Sequence, residues 1–422
     1  MMRTMLLTGM VLLAVIVAAQ VEDPVRAGTA ALEKKDLAAA QAHFEEATRL
    51  APGNANAWLL LARTYTERKN TASALEAAKK AETLGTEDAG VLQALANLYA
   101  GPLADRAKAA ELGARYAERS PGDRTAWRRL AVFCLATGQP ERAIEAATRG
   151  LKTDNSAELH GLLGRAYVER REWAKATAEL GEAVKLNPYD EGAHFHLAQA
   201  YLLQQDFATA VAVLEDARKF FDRSPQIELA LGVALYGLRD FPRAVDQFLK
   251  TIRLAPDVPQ PYVFLGRILE HAGDRLPEVS ARFAELEARD PKNPLGPVLR
   301  AKALVQQLPP ADYPPEAQTA LELLEKALAL DEKHAEAHHL IGIVLERKGE
   351  LDEAAKHLER SIELNSQDPA PHYRLARVYT RLGRVEDAER ERRLHEKLSE
   401  DVAVVDHRGT AVERRPGAAV AK

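Results

Sequence analysis

The sequence predicts an all-α chain, a solenoid of about eleven helix–turn–helix repeats stacked side by side. Three observations carry the prediction. Apolar and small residues recur in paired stretches at the three-and-four spacing of one helix face. Displacing the chain by about 34 residues lays it over itself, from Val21 to near Val402. The composition is 46% hydrophobic and 28% charged with only 6% aromatic residues, so the core is built mainly from Ala and Leu.

The stretch Asn187 to Ala217 shows the unit most plainly. His194, Leu197, Ala198 and Tyr201 share one face, and Phe207, Ala210, Leu214 and Ala217 share another. Gln205-Asp206 separates the two sets as a turn, with Asp206 placed to cap the second helix. One such hairpin cannot bury both faces, which is why it must be repeated.

The repeats start at Val21, Ala55, Ala89, Arg124, Ala157, Glu191, Pro225, Pro259, Pro294, Ala335 and Pro369. The eighth residue of each is Gly28, Ala62, Ala96, Ala131, Gly164, Ala198, Gly232, Gly266, Ala301, Gly342 and Ala376, always Gly or Ala. A small residue is needed where the two helices of a hairpin approach most closely. The seventh is Leu61, Leu95, Leu130, Leu163, Leu197, Leu231, Leu265, Ile341 or Leu375. In the second helix a small residue returns as Ala40, Ala74, Ala143, Ala176, Ala210, Ala244, Ala354 and Ala388. Pro52, Pro121, Pro188, Pro256 and Pro291 stop the second helix before the next repeat.

This pattern resembles the tetratricopeptide repeat. Trp58 and Trp127 stand at that family's aromatic fourth position, and Tyr65, Tyr99, Tyr167, Tyr201 and Tyr379 at its eleventh. Phe44, Phe248 and Phe283 match the aromatic of its second helix. The resemblance implies antiparallel helix pairs wound into a right-handed superhelical solenoid, with the first helices lining a concave groove and the second helices outside.

Departures from the pattern divide the chain. Repeats 1 to 8 occupy 20–293, although repeat 3 carries Gly101-Pro102 in its turn and repeat 8 an extra residue in Gly273 to Pro277. Residues 294–334 form an irregular ninth repeat, with Pro297 at the aromatic position, Arg300 at the leucine position, and a turn swollen into the Pro-rich stretch Gln307 to Pro315. Four prolines there forbid a continuous helix. The stretch reads as a tolerated surface insertion, with a partner-contacting loop as the alternative. Repeats 10 and 11 fill 335–402, and 403–422 is expected to be a disordered tail.

The N-terminus is unlike the rest. Arg3 precedes an apolar run from Met5 to Ala19, and acids follow it. This describes a signal peptide over residues 1–19, cleaved after Val17-Ala18-Ala19. The competing reading is an uncleaved anchor over Thr4 to Val21, about the minimum length for a span. Either version places the repeats outside the cytoplasm; the style of the signal and the resemblance imply the periplasm of a bacterium, with attachment to the inner membrane if the segment is an anchor.

Signatures of catalysis are missing from the sequence. No phosphate-cradling glycine loop or Gly-x-Ser-x-Gly elbow occurs, and His395-Glu396 lacks the second histidine of a zinc-protease motif because Ser399 stands there. His334 and His338 have metal-ligand spacing, but His338 fills the fourth position, where the repeat packs a ring. His194 and His196 are read the same way. The single cysteine, Cys134, rules out an intrachain disulfide and reads as a buried hydrophobe. No cofactor or metal is expected. A net charge of −5 and a pI near 6.2 give no reason to expect nucleic acid.

In tetratricopeptide arrays the ninth position points into the groove. Here that row is Arg63, Asn97, Val132, Arg165, Gln199, Val233, Arg267, Lys302, Ile343 and Arg377. Arg128, Arg129, Tyr373, Arg374 and Arg381 adjoin it, and Glu67, Glu169, Glu270 and Glu346 stand close enough in sequence to neutralise its arginines. An Arg- and Asn-rich lining suits extended, acidic peptides, whereas a solvated face is the plainer reading. The candidate partner-binding residues are therefore Arg63, Asn97, Arg128, Arg165, Gln199, Arg267, Lys302, Tyr373 and Arg377. The resemblance implies a non-enzymatic protein-binding scaffold in envelope assembly or secretion, with an accessory subunit of polysaccharide synthesis or export as the alternative.

Overall fold

The computed structural model describes residues 23–309 and 313–407. The signal segment, part of the Pro-rich stretch and residues 408–422 of the expected tail lie outside the described residues. The described chain is helical, without strands. It divides into two compact units, Met1–Ala200 and Tyr201–Lys422.

The first unit opens with a helix over 23–33, α1. It continues with α2 (Leu37–Leu50), α3 (Ala55–Glu67), α4 (Thr71–Leu84), α5 (Ala89–Ala100), α6 (Arg106–Arg119), α7 (Arg124–Ala136), α8 (Pro140–Leu151), α9 (Ala157–Glu169) and α10 (Trp173–Leu186). The division between units falls within α11 (Glu191–Leu203). The second unit holds α12 (Phe207–Ala217), α13 (Pro225–Gly237), α14 (Phe241–Leu254), α15 (Gln260–Arg267), α16 (Leu276–Arg289), α17 (Leu295–Gln307), α18 (Pro315–Leu330), α19 (Ala335–Lys348), α20 (Leu351–Leu364), α21 (Pro369–Arg381) and α22 (Val385–His407). Odd-numbered helices open the hairpins and even-numbered ones close them. The first helices of neighbouring hairpins touch, α3 with α5 and α7 with α9 in one unit, α17 with α19 and α19 with α21 in the other.

Each hairpin turn solves the same problem. In most hairpins the first helix ends and the second begins within three residues, leaving unpaired carbonyls on one side and unpaired N–H groups on the other. A residue in the left-handed region supplies the reversal: Lys35, Lys69, Ala104, Arg171, Gln205 and Arg239 at φ of 53° to 62°, or Gly138, Gly273, Gly349 and Gly383. In several of these turns the next residue then serves both helices. The Asp36 N–H donates to Ala31 O (2.9 Å) and so closes α1, while its carboxylate accepts from Ala39 N (3.0 Å) and opens α2. Asn70, Asp206 and Asp240 do the same.

The close approach expected at the eighth residue is present. A Cβ on Gly28 would lie 2.5 Å from the Phe44 ring, one on Gly164 2.5 Å from Leu180 Cγ, and one on Gly342 2.5 Å from Leu358 Cγ. Each contact joins the first helix of a hairpin to its second. Gly266 is different. Its neighbour is Leu299 of the following hairpin, because α15 stops at Arg267 and two short 3-10 turns, Leu269–His271 and Gly273–Arg275, replace its last turns.

A second bond recurs at the seam between hairpins. The fourth-position side chain donates to a backbone carbonyl six residues earlier: Trp58 Nε1 to Pro52 O (2.9 Å), Trp127 Nε1 to Pro121 O (3.3 Å) and Tyr262 OH to Pro256 O (3.0 Å). His194 and His338 place Nε2 against Pro188 O and Glu332 O in the same way, at 3.0 and 3.1 Å. The ring at this position is thus a donor as well as a filler, and the prolines that stop the second helices also present the acceptor.

The irregular ninth repeat is held by charge. Glu287 is buried on α16 and takes Arg300 of α17 at 2.5 Å and Lys326 of α18 at 2.6 Å. Arg300, which stands where other repeats place leucine, is one arm of that clamp. α22 reaches His407, past the point where the sequence periodicity fades.

Candidate functional site

The predicted residues lie on the first helices, and the structure sorts them into three groups. Arg63 on α3, Arg165 on α9 and Arg267 on α15 are exposed and make no ion pair among the described residues; Arg267 lies over the Phe264 ring at 5.5 Å. Asn97 on α5 is exposed as well. The spacing of about 34 residues puts all four at the same place in their hairpins, where the eighth-residue contact turns the ninth outward.

The second group is already engaged. Arg128 on α7 is half-buried and ion-paired with Glu158 on α9. Lys302 on α17 reaches Glu336 on α19 at 2.5 Å. Gln199 Oε1 lies 3.4 Å from His196 Nδ1, and burial together with Arg165 holds the His196 imidazole below its ordinary pKa. Ile343, which shares the ninth-position row, is buried, whereas the row's apolar Val132 on α7 is exposed.

Only Tyr373 and Arg377, both on α21, come into direct contact among the nine. The Arg377 guanidinium lies over the Tyr373 ring at 6.0 Å, and Tyr373 is 47% exposed. Glu346 on α19 completes the group. It is 3% exposed and draws Arg377 to 3.2 Å and Arg374 to 3.7 Å. The Arg381 guanidinium donates to the Glu346 carbonyl at 2.8 Å. Arg347, the next residue on α19, donates to Pro309 O at 3.0 Å, beside the Pro-rich stretch. Burial first, and then the Arg374 charge, hold Arg347 below the usual arginine pKa. His339, two turns earlier on α19, is pushed down to about 4 by burial, and its Nε2 is a buried atom without a hydrogen bond.

Of the acids expected to neutralise the row, Glu346 does so. Glu67 and Glu169 are exposed and make no ion pair among the described residues, and Glu270 faces His271 rather than an arginine. Sequence reading passed over Glu158 and Glu336 as partners and Arg347 as a member of the arginine group. Glu336 carried a usable signal, since it lies one repeat after Lys302. The histidines behave as ring positions: His194 and His338 are buried, and Cys134 is buried and free. No group of three or more His, Cys, Asp or Glu side chains placed to hold a metal occurs among the described residues.

Family models for tetratricopeptide repeats match residues 31–99 and residues 162–226 and 229–294. A model for the anaphase-promoting complex (cyclosome) subunit 3 matches 316–391. None of the curated proteins matches the sequence. Among solved structures, the chain is similar to the Cut9–Hcn1 hetero-tetramer of the anaphase-promoting complex, with 14% identity over 95% of this chain and 98% of that one and a TM-score of 0.42. It is similar to yeast Tom70, with 16% identity over 94% and 98% and a TM-score of 0.38. It is also similar to Naa15/Naa10 bound to HypK-THB, with 16% identity over 89% and 68% and a TM-score of 0.39. Tetratricopeptide repeats thus occupy residues 31–99, 162–226 and 229–294, and helical hairpins of the same kind continue through the described residues of each unit.

Proposed function

We propose that the chain is a non-enzymatic scaffold that binds partner proteins or peptides on the face of its first helices. The observation that carries this reading is the row Arg63, Arg165 and Arg267: three exposed cations at one repeat position, none ion-paired among the described residues, in a chain whose net charge is −5. Arginines without an internal carboxylate keep their forks free for a partner's carboxylates and backbone carbonyls. Within each unit the stacked hairpins offer such contacts already positioned, so little ordering cost accompanies binding there. The apolar N-terminal run motivates an extracytoplasmic location and a role in envelope assembly or secretion. Fusion of alkaline phosphatase after Val402 tests that location: activity in intact bacteria supports export, and an inactive, expressed fusion rejects it.

The binding reading is tested by recovering partners from an envelope extract with residues 20–422 as bait. A second bait carries Arg63→Glu, Arg165→Glu, Arg267→Glu and Arg377→Glu. A protein recovered by the first bait and lost by the second, with helical circular dichroism unchanged, supports the reading. Equal recovery by both rejects it.

A further inference from the structure

We propose that Arg347, Arg374, Arg377 and Arg381, on α19 and α21, form a docking subsite for an acidic peptide segment, and that Glu346 is a resident carboxylate competing with it. The proposal rests on the scaffold reading and deepens it by naming the ligand chemistry at one place.

Charge imbalance is the first argument. Two guanidinium groups, Arg374 and Arg377, lie at the Glu346 carboxylate, while Arg381 and Arg347 beside them bond only backbone carbonyls, those of Glu346 and Pro309. The nearby acids are committed elsewhere: Glu336 to Lys302, and Asp368 to capping α21 through Ala370 N at 2.9 Å. Arg128 and Lys302 on the other first helices show the contrasting arrangement, one cation to one carboxylate.

Bond geometry at Glu346 is the second. Its Oε1 is buried and accepts no hydrogen bond, although Arg377 Nη2 lies only 3.2 Å away. Arg374 stays at 3.7 Å. The attraction is coulombic and poorly directed, so the guanidinium forks keep bonding capacity that a bidentate carboxylate would use. The backbone bond from Arg381 to the Glu346 carbonyl does not depend on that side chain.

Shape and surroundings select a peptide. Half of the Arg377 side chain is exposed, and Tyr373, 47% exposed, borders the arginines with an aromatic face for an aliphatic or backbone contact. A chain of net charge −5 repels extended polyanions as a whole, which favours a short acidic segment over a nucleic acid.

The test uses the full chain and a fluorescein-labelled nonapeptide of alternating Glu and Gly, followed by anisotropy. The wild-type chain is expected to bind it and to ignore the Lys-for-Glu peptide of the same length. Arg374→Gln with Arg377→Gln is expected to weaken binding about 10-fold, and Arg49→Gln with Arg106→Gln, exposed arginines on the second helices α2 and α6, to change it less than about 2-fold. Glu346→Gln is expected to tighten binding about 3-fold, since it removes the competing charge. Absence of binding, equal loss in both arginine pairs, or displacement of the probe by inorganic phosphate at equal charge concentration overturns the subsite. Unchanged or weaker binding by Glu346→Gln overturns the role given to Glu346. If the chain ignores the probe but still recovers an envelope partner in the arginine-dependent way described above, the subsite falls and the scaffold reading stands. If it binds the probe and recovers no partner, the scaffold reading alone falls.

Discussion

His338 and His357 face each other with their Nδ1 atoms 3.0 Å apart, at the place where His160 meets Glu179 and His372 meets Glu391, each at 2.6 Å. In all three hairpins a fourth-position histidine of the first helix meets the residue nineteen positions on. Only in α19/α20 is that residue a second imidazole. His338 spends its Nε2–H on Glu332 O, so its Nδ1 accepts and His357 Nδ1 donates. Further protonation sets two cations side by side.

That relationship predicts acid sensitivity in the second unit. Burial, then the charge of His338, hold His357 below its ordinary value against the opposing pull of Glu353, and burial holds the neighbouring His339 down at about 4. For groups whose folded pKa is depressed, the unfolded chain takes up protons first as pH falls. Their contribution is therefore complete above about pH 6.5 and is lost between there and the lower folded values. Urea unfolding is expected to show a loss on the order of 1–2 kcal/mol between pH 7 and pH 5. Hydrogen exchange should accelerate in α19 and α20 over the same range, and His357→Glu should reduce the effect. Equal exchange rates at both pH values would count against it.

The left-handed turn residues predict gains. Lys69 and Arg171 sit at φ of 60° and 57° with exposed side chains. A Cβ is crowded in that region and glycine is not, so Lys69→Gly and Arg171→Gly should each stabilise by about 1 kcal/mol. The reverse change, Gly138→Ala, at φ 65°, should cost a similar amount. Chemical denaturation at constant m-value is the measurement.

Close helix approach predicts a loss that depends on position. Gly164→Val places methyl groups where a Cβ would already be 2.5 Å from Leu180 Cγ and 3.1 Å from its backbone nitrogen, and should cost about 2–3 kcal/mol. Gly53→Ala, where nothing lies within 4 Å, should stay within about 0.5 kcal/mol. Comparable losses at both sites would refute the packing argument.

The seam bond predicts that Trp58→Phe loses about 1 kcal/mol through the unpaired Pro52 carbonyl, beyond any loss from Lys80, whose ammonium lies 4.2 Å from the Trp58 ring centroid. A Lys80→Met background removes the cation and isolates the hydrogen-bond part in a double-mutant cycle.

What sequence could reveal followed from side-chain size and period. Gly164 and Gly342 announced close contacts because smallness is visible in the letter. Lys69 and Arg171 gave no such sign of their left-handed turns, because the backbone demand recurs while six of those turns use residues with no preference for it. His338 read correctly as a ring position, yet its partner His357 lies on another helix and could be placed only once the hairpin was closed. Glu346 looked like an acid on a polar face. Its burial depends on α21 crossing above it, which no local pattern states. The early end of α15 was hidden for a related reason: the segment after Arg267 keeps an apolar pattern while its backbone tightens.

The seam bond has a consequence for how such a chain changes length. Trp58, Trp127, His194, Tyr262 and His338 each meet the turn just before their own hairpin. Each of these five hairpins therefore carries its own fastener to its predecessor. Recombination that inserts or deletes one whole hairpin at a proline-marked junction leaves the remaining fasteners matched, whereas a break inside a hairpin strands a donor on one side and an acceptor on the other.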